Sequence, residues 1–326
     1  MGTPIETELT SQYRARDTEL QSLIDGLSLP QKTISPKYFY DEYGSELFER
    51  ITELPEYYPT RTELGILTEH VEEMGASFGD DASLIEFGAG ASAKVRILLD
   101  ALQNIIVFVP VDISGDHLKA AADELAADYP NVQILPVAAD FTRPFELPTP
   151  KRMPARNVVF FPGSTIGNFA PDAALDLLRT MRTVAKDSGG LLIGVDLQKD
   201  PAILERAYDD AEGVTATFNR NMLTHLNREF GSDFDANAFR HVSRYNTELN
   251  RIEMHLVSER DQTFTLGDTT FSIAKDETIL TECSYKYTVD GFVALAAKAG
   301  FLVHKTWLDD NELFSVHYAT AVAPGE

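Results

Sequence analysis

The sequence is poor in basic residues, has one cysteine and lacks any long apolar run, and each scarcity removes a class of function. Twenty-eight lysines and arginines face 51 aspartates and glutamates in 326 residues, a net charge of −23 with a pI near 4.6. Such a chain lacks the basic footprint with which proteins meet nucleic acid or an anionic membrane, so neither is expected as a partner. A lone thiol, Cys283, forbids an internal disulfide and suits a reducing compartment. The seven histidines are scattered without His-Glu-x-x-His spacing, thiolate clusters are missing, and no metal is expected. No stretch approaches the roughly 18 apolar residues that cross a bilayer, and the N-terminus has neither the basic start nor the apolar core of a secretory signal. A cytoplasmic protein acting as a monomer is expected.

What the chain does have is a strand, a glycine turn and a helix start in succession. Leu84-Ile85-Glu86-Phe87 reads as the end of a buried strand. Gly88 and Gly90 let the backbone turn tightly, and Val95, Leu98, Leu99 and Leu102 then recur on one helix face. That combination makes a nucleotide cradle, and Ala93, three residues after Gly90, completes the looser dinucleotide pattern. Two further apolar runs end in ligand-type residues. Ile105 to Val111 leads to Asp112, placed to meet ribose hydroxyls. Val132 to Val137 leads to Asp140-Phe141, an acceptor for an exocyclic amine and a ring to cover a base. Asp112 alone would also serve as a helix cap, and a two-glycine turn alone is often only a turn. Three such strand ends in series point to a nucleotide-like ligand.

Glu86 narrows the choice. An acid inside the strand, two residues before the first glycine, is unusual for a nicotinamide site. It resembles the first motif of class I S-adenosylmethionine (AdoMet) methyltransferases, in which a strand-end acid helps to position the loop and the methionine amine. The Asp140-Phe141 pair resembles the adenine-side motif of the same superfamily. AdoMet is therefore favoured over NAD.

The rest of the chain supplies the frame. A peripheral helix is expected around Thr18 to Leu27, followed by an aromatic-rich segment, Ser35 to Phe48, and the run Leu54-Pro55-Glu56-Tyr57-Tyr58-Pro59-Thr60-Arg61-Thr62-Glu63. Five tyrosines fall within 21 residues, pinned by prolines, and suggest a lid or substrate wall, although ordinary packing would also use them. Thr60 with Glu63 reads as a capping box for a helix carrying Leu64, Leu67, Val71 and Met74 on one face. A fourth strand, Asn157 to Phe161, runs into Pro162-Gly163-Ser164-Thr165-Ile166-Gly167-Asn168 on the ligand side of a parallel sheet. After a helix from Ala173 to Val184 and a strand from Leu191 to Val195, the pattern changes at Lys199. Residues 201–230 look helical, with Leu204, Tyr208 and Ala211 on one face. Short strands then read as an antiparallel insertion, with Ile252, Met254 and Leu256 on one face and Thr281-Glu282-Cys283-Ser284 at its end. The core pattern resumes with a helix capped by Thr288 and two strands, Phe301 to Leu308 and Leu313 to Val322.

With these blocks in order, nearly the whole chain from Ser35 resembles the histidine-specific Nα-methyltransferases of ergothioneine biosynthesis. The distinctive pieces are Lys37-Tyr38-Phe39-Tyr40-Asp41, the Leu54 to Glu63 run, Gly163 to Asn168, Arg206 to Ala211, Phe218-Asn219-Arg220-Asn221, Arg251 to Met254 and Leu280 to Ser284. The resemblance implies that Glu86, Gly88, Gly90, Lys94, Asp112, Asp140 and Phe141 hold AdoMet as co-substrate. It places Asn168 and Tyr208 on the amino-acid carboxylate and Tyr40 near the amine, as the catalytic candidate. Tyr57, Glu282 and Ser284 would surround the imidazole, with Met254 as a pocket wall. Read from the sequence alone, Glu282 is also an ordinary solvated strand residue. Three successive methyl transfers would give the betaine hercynine. A departure is the Gly-Ala-Gly-Ala loop, where small polar residues are usual.

The implied fold is α/β. A class I Rossmann-like AdoMet methyltransferase core, a seven-stranded mixed sheet, is expected over residues 61–199 plus 286–326. A second, α+β substrate-binding domain is expected over 1–60 plus 200–285. The competing readings are a methyltransferase of the same family acting on another aromatic amino acid or amine such as a tryptophan derivative, a nicotinamide oxidoreductase, and a non-catalytic AdoMet-binding sensor.

Overall fold

The computed structural model of the chain describes residues 4–90, 93–113 and 115–322, without the side chains of 4–15, 116 and 117. Ala91 and Ser92 of the glycine loop thus lie outside the described residues. The chain divides into two compact units, Met1–Tyr58 with Asp200–Ser284 and Pro59–Lys199 with Tyr285–Glu326.

The second of these is built on one sheet. Its strands are β1 (Ala82–Phe87), β2 (Ile105–Asp112), β3 (Gln133–Ile134), β4 (Arg156–Phe161), β5 (Gly190–Asp196), β6 (Phe301–Leu308) and β7 (Phe314–Ala321), in the spatial order β6-β7-β5-β4-β1-β2-β3. The pairs from β3 to β5 are parallel, and β7 joins β5 and β6 antiparallel. Alternation along the strands explains why helices cover both faces. Ile85, Phe87, Val107, Val109, Val159 and Phe161 face one cluster with Leu178, Met181 and Phe292. Leu84, Phe108, Val158 and Phe160 face the other, with Leu67, Met74 and Phe78. Each such side chain contributes about 1.5–3 kcal/mol by leaving water. Chain order reverses at β1, so the crevice at the carboxyl ends of β1 and β4 is where an open parallel sheet takes a ligand.

Two expectations are corrected here. The third strand is not continuous from Val132 to Val137: Gln133–Ile134 and Val137–Ala138 pair separately with β2. Pro136 between them has no N–H for the ladder. The helix thought to be capped by Thr60 already runs from Tyr58 to Phe78, so no capping box forms. Glu63 instead turns inward and is 1% exposed.

The other unit packs helices on a four-stranded sheet ordered Lys32–Thr33, Thr278–Tyr285, Arg251–Ser258, Phe239–Asn246. Lys32–Thr33 pairs parallel with Ile279 and Leu280, so the sheet is not purely antiparallel. That strand arrives from far along the chain, where no hairpin dictates direction. The expected helix over 201–230 is two, Pro201–Ala207 and Val214–Phe230. Asp210 ends the continuity by accepting from Val214 N at 2.9 Å and Thr215 N at 2.7 Å, which caps the second helix and removes Ala211 from the first. The helix Glu42–Glu53 is fastened at its start by Asp41, which accepts from Gly44 N at 2.7 Å, Asn221 Nδ2 at 2.8 Å and Arg228 at 2.6 Å.

Gly44 leaves room for this start. A Cβ there would fall 1.7 Å from the carbonyl oxygen of Phe39. An alanine gains about 0.5–1 kcal/mol of helix propensity, too little to offset that overlap. Gly44→Ala is therefore expected to lower the unfolding free energy by about 2 kcal/mol, as read from the urea midpoint.

Candidate active site

At the carboxyl ends of β1 and β2, backbone bonds gather the cofactor candidates. Gly88 N and Ala89 N donate to Val111 O at 2.8 and 3.2 Å, which lays the glycine loop against the end of β2 beside Asp112. Gly88 has φ +73°, and a Cβ on it would sit 3.6 Å from the Phe141 ring. Glycine is thus favoured by the left-handed backbone, while Phe141 stands at ordinary contact distance from where a Cβ would be. Phe141 packs against Phe87 and Phe161 with centroids 5.6 and 5.8 Å apart. Asp140 is exposed and accepts from Thr142 N at 3.0 Å. Gly90 is exposed, and Lys94 stands in the first turn of the helix Ala93–Ala101. A tight turn, a helix N-terminus, strand-end carboxylates and an aromatic face fit the amino-acid, ribose and adenine parts of AdoMet.

Beneath the loop lies a buried charge cluster. Lys94 Nζ is 2.6 Å from Glu63 Oε2, and both Glu63 oxygens accept from Gly163 N, at 3.0 and 2.9 Å. Glu86 is 3% exposed, and its carboxyl is pushed up to about 8. Desolvation is the main cause, the carboxylates of Glu63 and Asp112 add to it, and Lys94 opposes it. Glu86 is therefore neutral at pH 7 here. Asn168 lies in the same unit, exposed, at the end of the short helical turn Thr165–Asn168 after β4. That loop is held by Gly163 and Ser164, both left-handed at φ +80° and +54°.

The amino-acid candidates other than Asn168 belong to the unit Met1–Tyr58 with Asp200–Ser284. Tyr208 donates to Ser284 Oγ at 3.0 Å, and its ring meets Tyr57 edge-on at 6.0 Å. Glu282 and Ser284 share one face of the strand Thr278–Tyr285. Met254 is 1% exposed on the neighbouring strand. Tyr40 is 49% exposed, yet its hydroxyl is held above the ordinary tyrosine range, first by desolvation and then by the charge of Glu282 and by Tyr208. It stays a phenol at neutral pH.

Sequence reasoning missed three supports of this group. Phe48 and Phe218 complete a ring of aromatics: Tyr40 lies 5.7 Å from Phe48 and 5.8 Å from Phe218, and Phe48 lies 6.3 Å from Tyr57. Both sat in quoted motifs, and their density was the available signal. The third, His241, had none. Its Nε2 lies 2.8 Å from Tyr208 O and its Nδ1 2.8 Å from Asn219 Nδ2. A carbonyl only accepts, so Nε2 carries the proton and Nδ1 accepts from Asn219. Desolvation lowers the pKa of His241 against the pull of the Tyr208 carbonyl. A neutral imidazole thus clamps the backbone that presents Tyr208.

Sheet order, glycine cradle and strand-end acids define a class I AdoMet-dependent methyltransferase. The model of the histidine-specific, SAM-dependent methyltransferase family matches residues 19–321, and this chain belongs to that family. The histidine N-alpha-methyltransferase of Mycolicibacterium smegmatis is 40% identical over 320 residues, covering 95% of this chain and 98% of that protein. Ergothioneine biosynthesis protein 1 of Neurospora crassa is 31% identical over 94% of this chain, which spans 34% of that longer protein. A 4-dimethylallyltryptophan N-methyltransferase of Aspergillus fumigatus is 28% identical over 90% of this chain and 88% of its own. Among the described residues no group of three or more His, Cys, Asp or Glu is placed to hold a metal ion, and no helix is long and apolar enough to cross a membrane.

The pH behaviour of Glu86 has a definite sign. Its pKa is raised from 4.5 in the unfolded chain to about 8, so the stability it contributes is fully present below 4.5 and is lost as the pH rises to about 8. Glu86→Gln removes that loss. The variant is expected to gain roughly 3 kcal/mol over the parent between pH 5 and pH 8, measured by urea unfolding of the ligand-free protein.

Proposed function

We propose that this chain transfers methyl groups from AdoMet to the α-amino group of L-histidine, three in succession, to give hercynine, the first step of ergothioneine biosynthesis. The observation that carries the reading is the group Tyr208–Ser284–Glu282 beside Tyr40, inside aromatic walls. Family membership and the mycobacterial relative's name support it. AdoMet supplies a methyl on a sulfonium, and the acceptor nitrogen displaces it in line, the C–S electron pair leaving with sulfur. Gly88, Gly90, Lys94, Asp112, Asp140 and Phe141 hold that co-substrate, with Glu86 under the loop. The family resemblance gives Asn168 of one unit and Tyr208 of the other as the candidates for the substrate carboxylate.

The amine reacts as a free base, so one proton leaves before each transfer. Tyr40 remains protonated and orients the amine by hydrogen bonding rather than acting as a phenolate base. Glu282 and Ser284 read the imidazole, where an unmet acceptor penalises a substrate lacking a donor. Tyr57 and Met254 wall the ring. Aromatic faces suit the growing ammonium charge and exclude water. The chain is taken to act on this small molecule as a cytoplasmic monomer, without nucleic acid or membrane.

Mass spectrometry of the purified protein with AdoMet and all common amino acids tests the reading. Histidine carrying one, two and three methyls is the expected product. A different modified amino acid would move the substrate toward the tryptophan-derivative reading, which the fungal relative's name favours. Cofactor binding without methyl transfer would leave a sensor. Glu282→Ala should cut histidine turnover by about tenfold or more through loss of the imidazole acceptor. Tyr40→Phe should lower turnover more than it weakens AdoMet binding, a comparison made by steady-state kinetics and calorimetry.

A further inference from the structure

Glu63 enters no step of the proposed reaction, yet it is the most enclosed charge near the glycine loop, with 1% of its surface exposed. It projects from the second turn of the helix Tyr58–Phe78 into a slot that β5 leaves open. A Cβ on Gly194 of β5 would fall 2.0 Å from Glu63 Oε1, so glycine at that position makes the room. Its carboxylate holds two otherwise separate pieces of backbone. One oxygen is 2.6 Å from Lys94 Nζ, at the start of the helix after β1. Both accept the N–H of Gly163, which opens the left-handed turn leading to Asn168 after β4. The slot is tight on its far side too, since a Cβ on Gly163 would meet Lys94 Nζ at 3.2 Å. A carboxylate at this point fixes both the lysine and the loop. A shorter side chain would not reach both, and a neutral one would lose the charge that holds the lysine.

We infer that Glu63 is a positioning residue that sets Lys94 and the Gly163–Asn168 loop in one fixed relation, and so couples co-substrate binding to substrate binding. The inference rests on the reading that Lys94 meets AdoMet and Asn168 meets the amino acid. It goes beyond that reading by assigning the coupling to a helical residue that touches neither.

The test compares Glu63→Gln, Lys94→Met and the double variant in the full chain. The readouts are S-adenosylhomocysteine (AdoHcy) affinity by calorimetry, kcat and KM for histidine, and Tm. Glu63→Gln is expected to weaken AdoHcy binding by about tenfold and to raise the histidine KM by a similar factor. In the double variant AdoHcy binding should be no weaker than in Lys94→Met alone, because the lysine that Glu63 orients is gone. Glu86 gives a readout that a merely structural role would not move. The groups facing it are Lys94, Glu63 and Asp112, and Glu63 helps to keep it protonated. The pH dependence of AdoHcy affinity should therefore shift to lower pH in Glu63→Gln. A lower Tm with unchanged AdoHcy affinity, histidine KM and pH profile would overturn the inference, as would fully additive losses in the double variant. Should Glu63→Gln not fold, Lys94→Met decides alone: a raised histidine KM supports the coupling, and a loss confined to AdoHcy sinks it. A parent protein that binds no AdoHcy would instead remove the site on which the inference stands, and the inference with it.

Discussion

One carboxylate with no exposed surface governs where the chain leaves and re-enters its Rossmann sheet. Asp196, the last residue of β5, is paired with Lys199 at 2.7 Å and Lys286 at 2.6 Å. Desolvation pushes its pKa up, but Lys286 and Lys199 outweigh it and hold Asp196 below the ordinary carboxylate range. Lys199 is itself lowered to about 8, by desolvation and by the neighbouring Lys286 charge. Removing one partner of such a buried group leaves an uncompensated charge, at a cost of about 3–5 kcal/mol. The two segments also bond to each other, through Gln198 N to Tyr287 O at 2.9 Å and Tyr287 N to Asp196 O at 3.1 Å. A large insertion, Asp200–Ser284, is thereby reduced to a loop between two adjoining points of the core.

The acidity of the chain looks different once its buried members are placed. The net charge of −23 is a surface property, but Glu63, Asp196 and Asp210 are inside, each with a cation or backbone donors, while Glu86 resolves its burial by taking a proton. These four do the local structural tasks: a lysine clamp, a chain crossover, a helix start and the floor of a glycine loop. Asp41 at the start of the helix Glu42–Glu53 and the buried Glu253, paired with Arg251, belong with them.

Much of the fold was legible because its signals are local. Gly88 and the apolar runs around it announce β1 and the following helix, and Thr288 marks the start of a helix that forms as read. Errors arose where one residue answered to a distant partner. Glu63 matches a capping pattern by spacing, but the helix starts at Tyr58, ahead of Thr60, and the carboxylate pairs with Lys94 instead. Tyr208 fits a helical face by spacing, but the helix ends at Ala207 and Asp210 holds the start of the next, Val214–Phe230. Pro136, which has no N–H for the ladder, is the local signal that breaks the third strand. The candidate site was legible mainly through the family resemblance, which quoted its blocks in order. Its aromatic frame and its His241 clamp depend on chain segments far apart in sequence, and no spacing rule reaches them.

His241 has a consequence for anyone measuring this protein. An imidazole in the wall props the tyrosine that, on the proposed reading, meets the carboxylate of a substrate carrying another imidazole. The wall imidazole is locked in one tautomer and kept neutral by burial, whereas a free histidine changes charge near pH 6.5. Burial thus moves the titration of the wall ring below that of the free one. On a falling pH the cargo is then expected to take its proton before its container does.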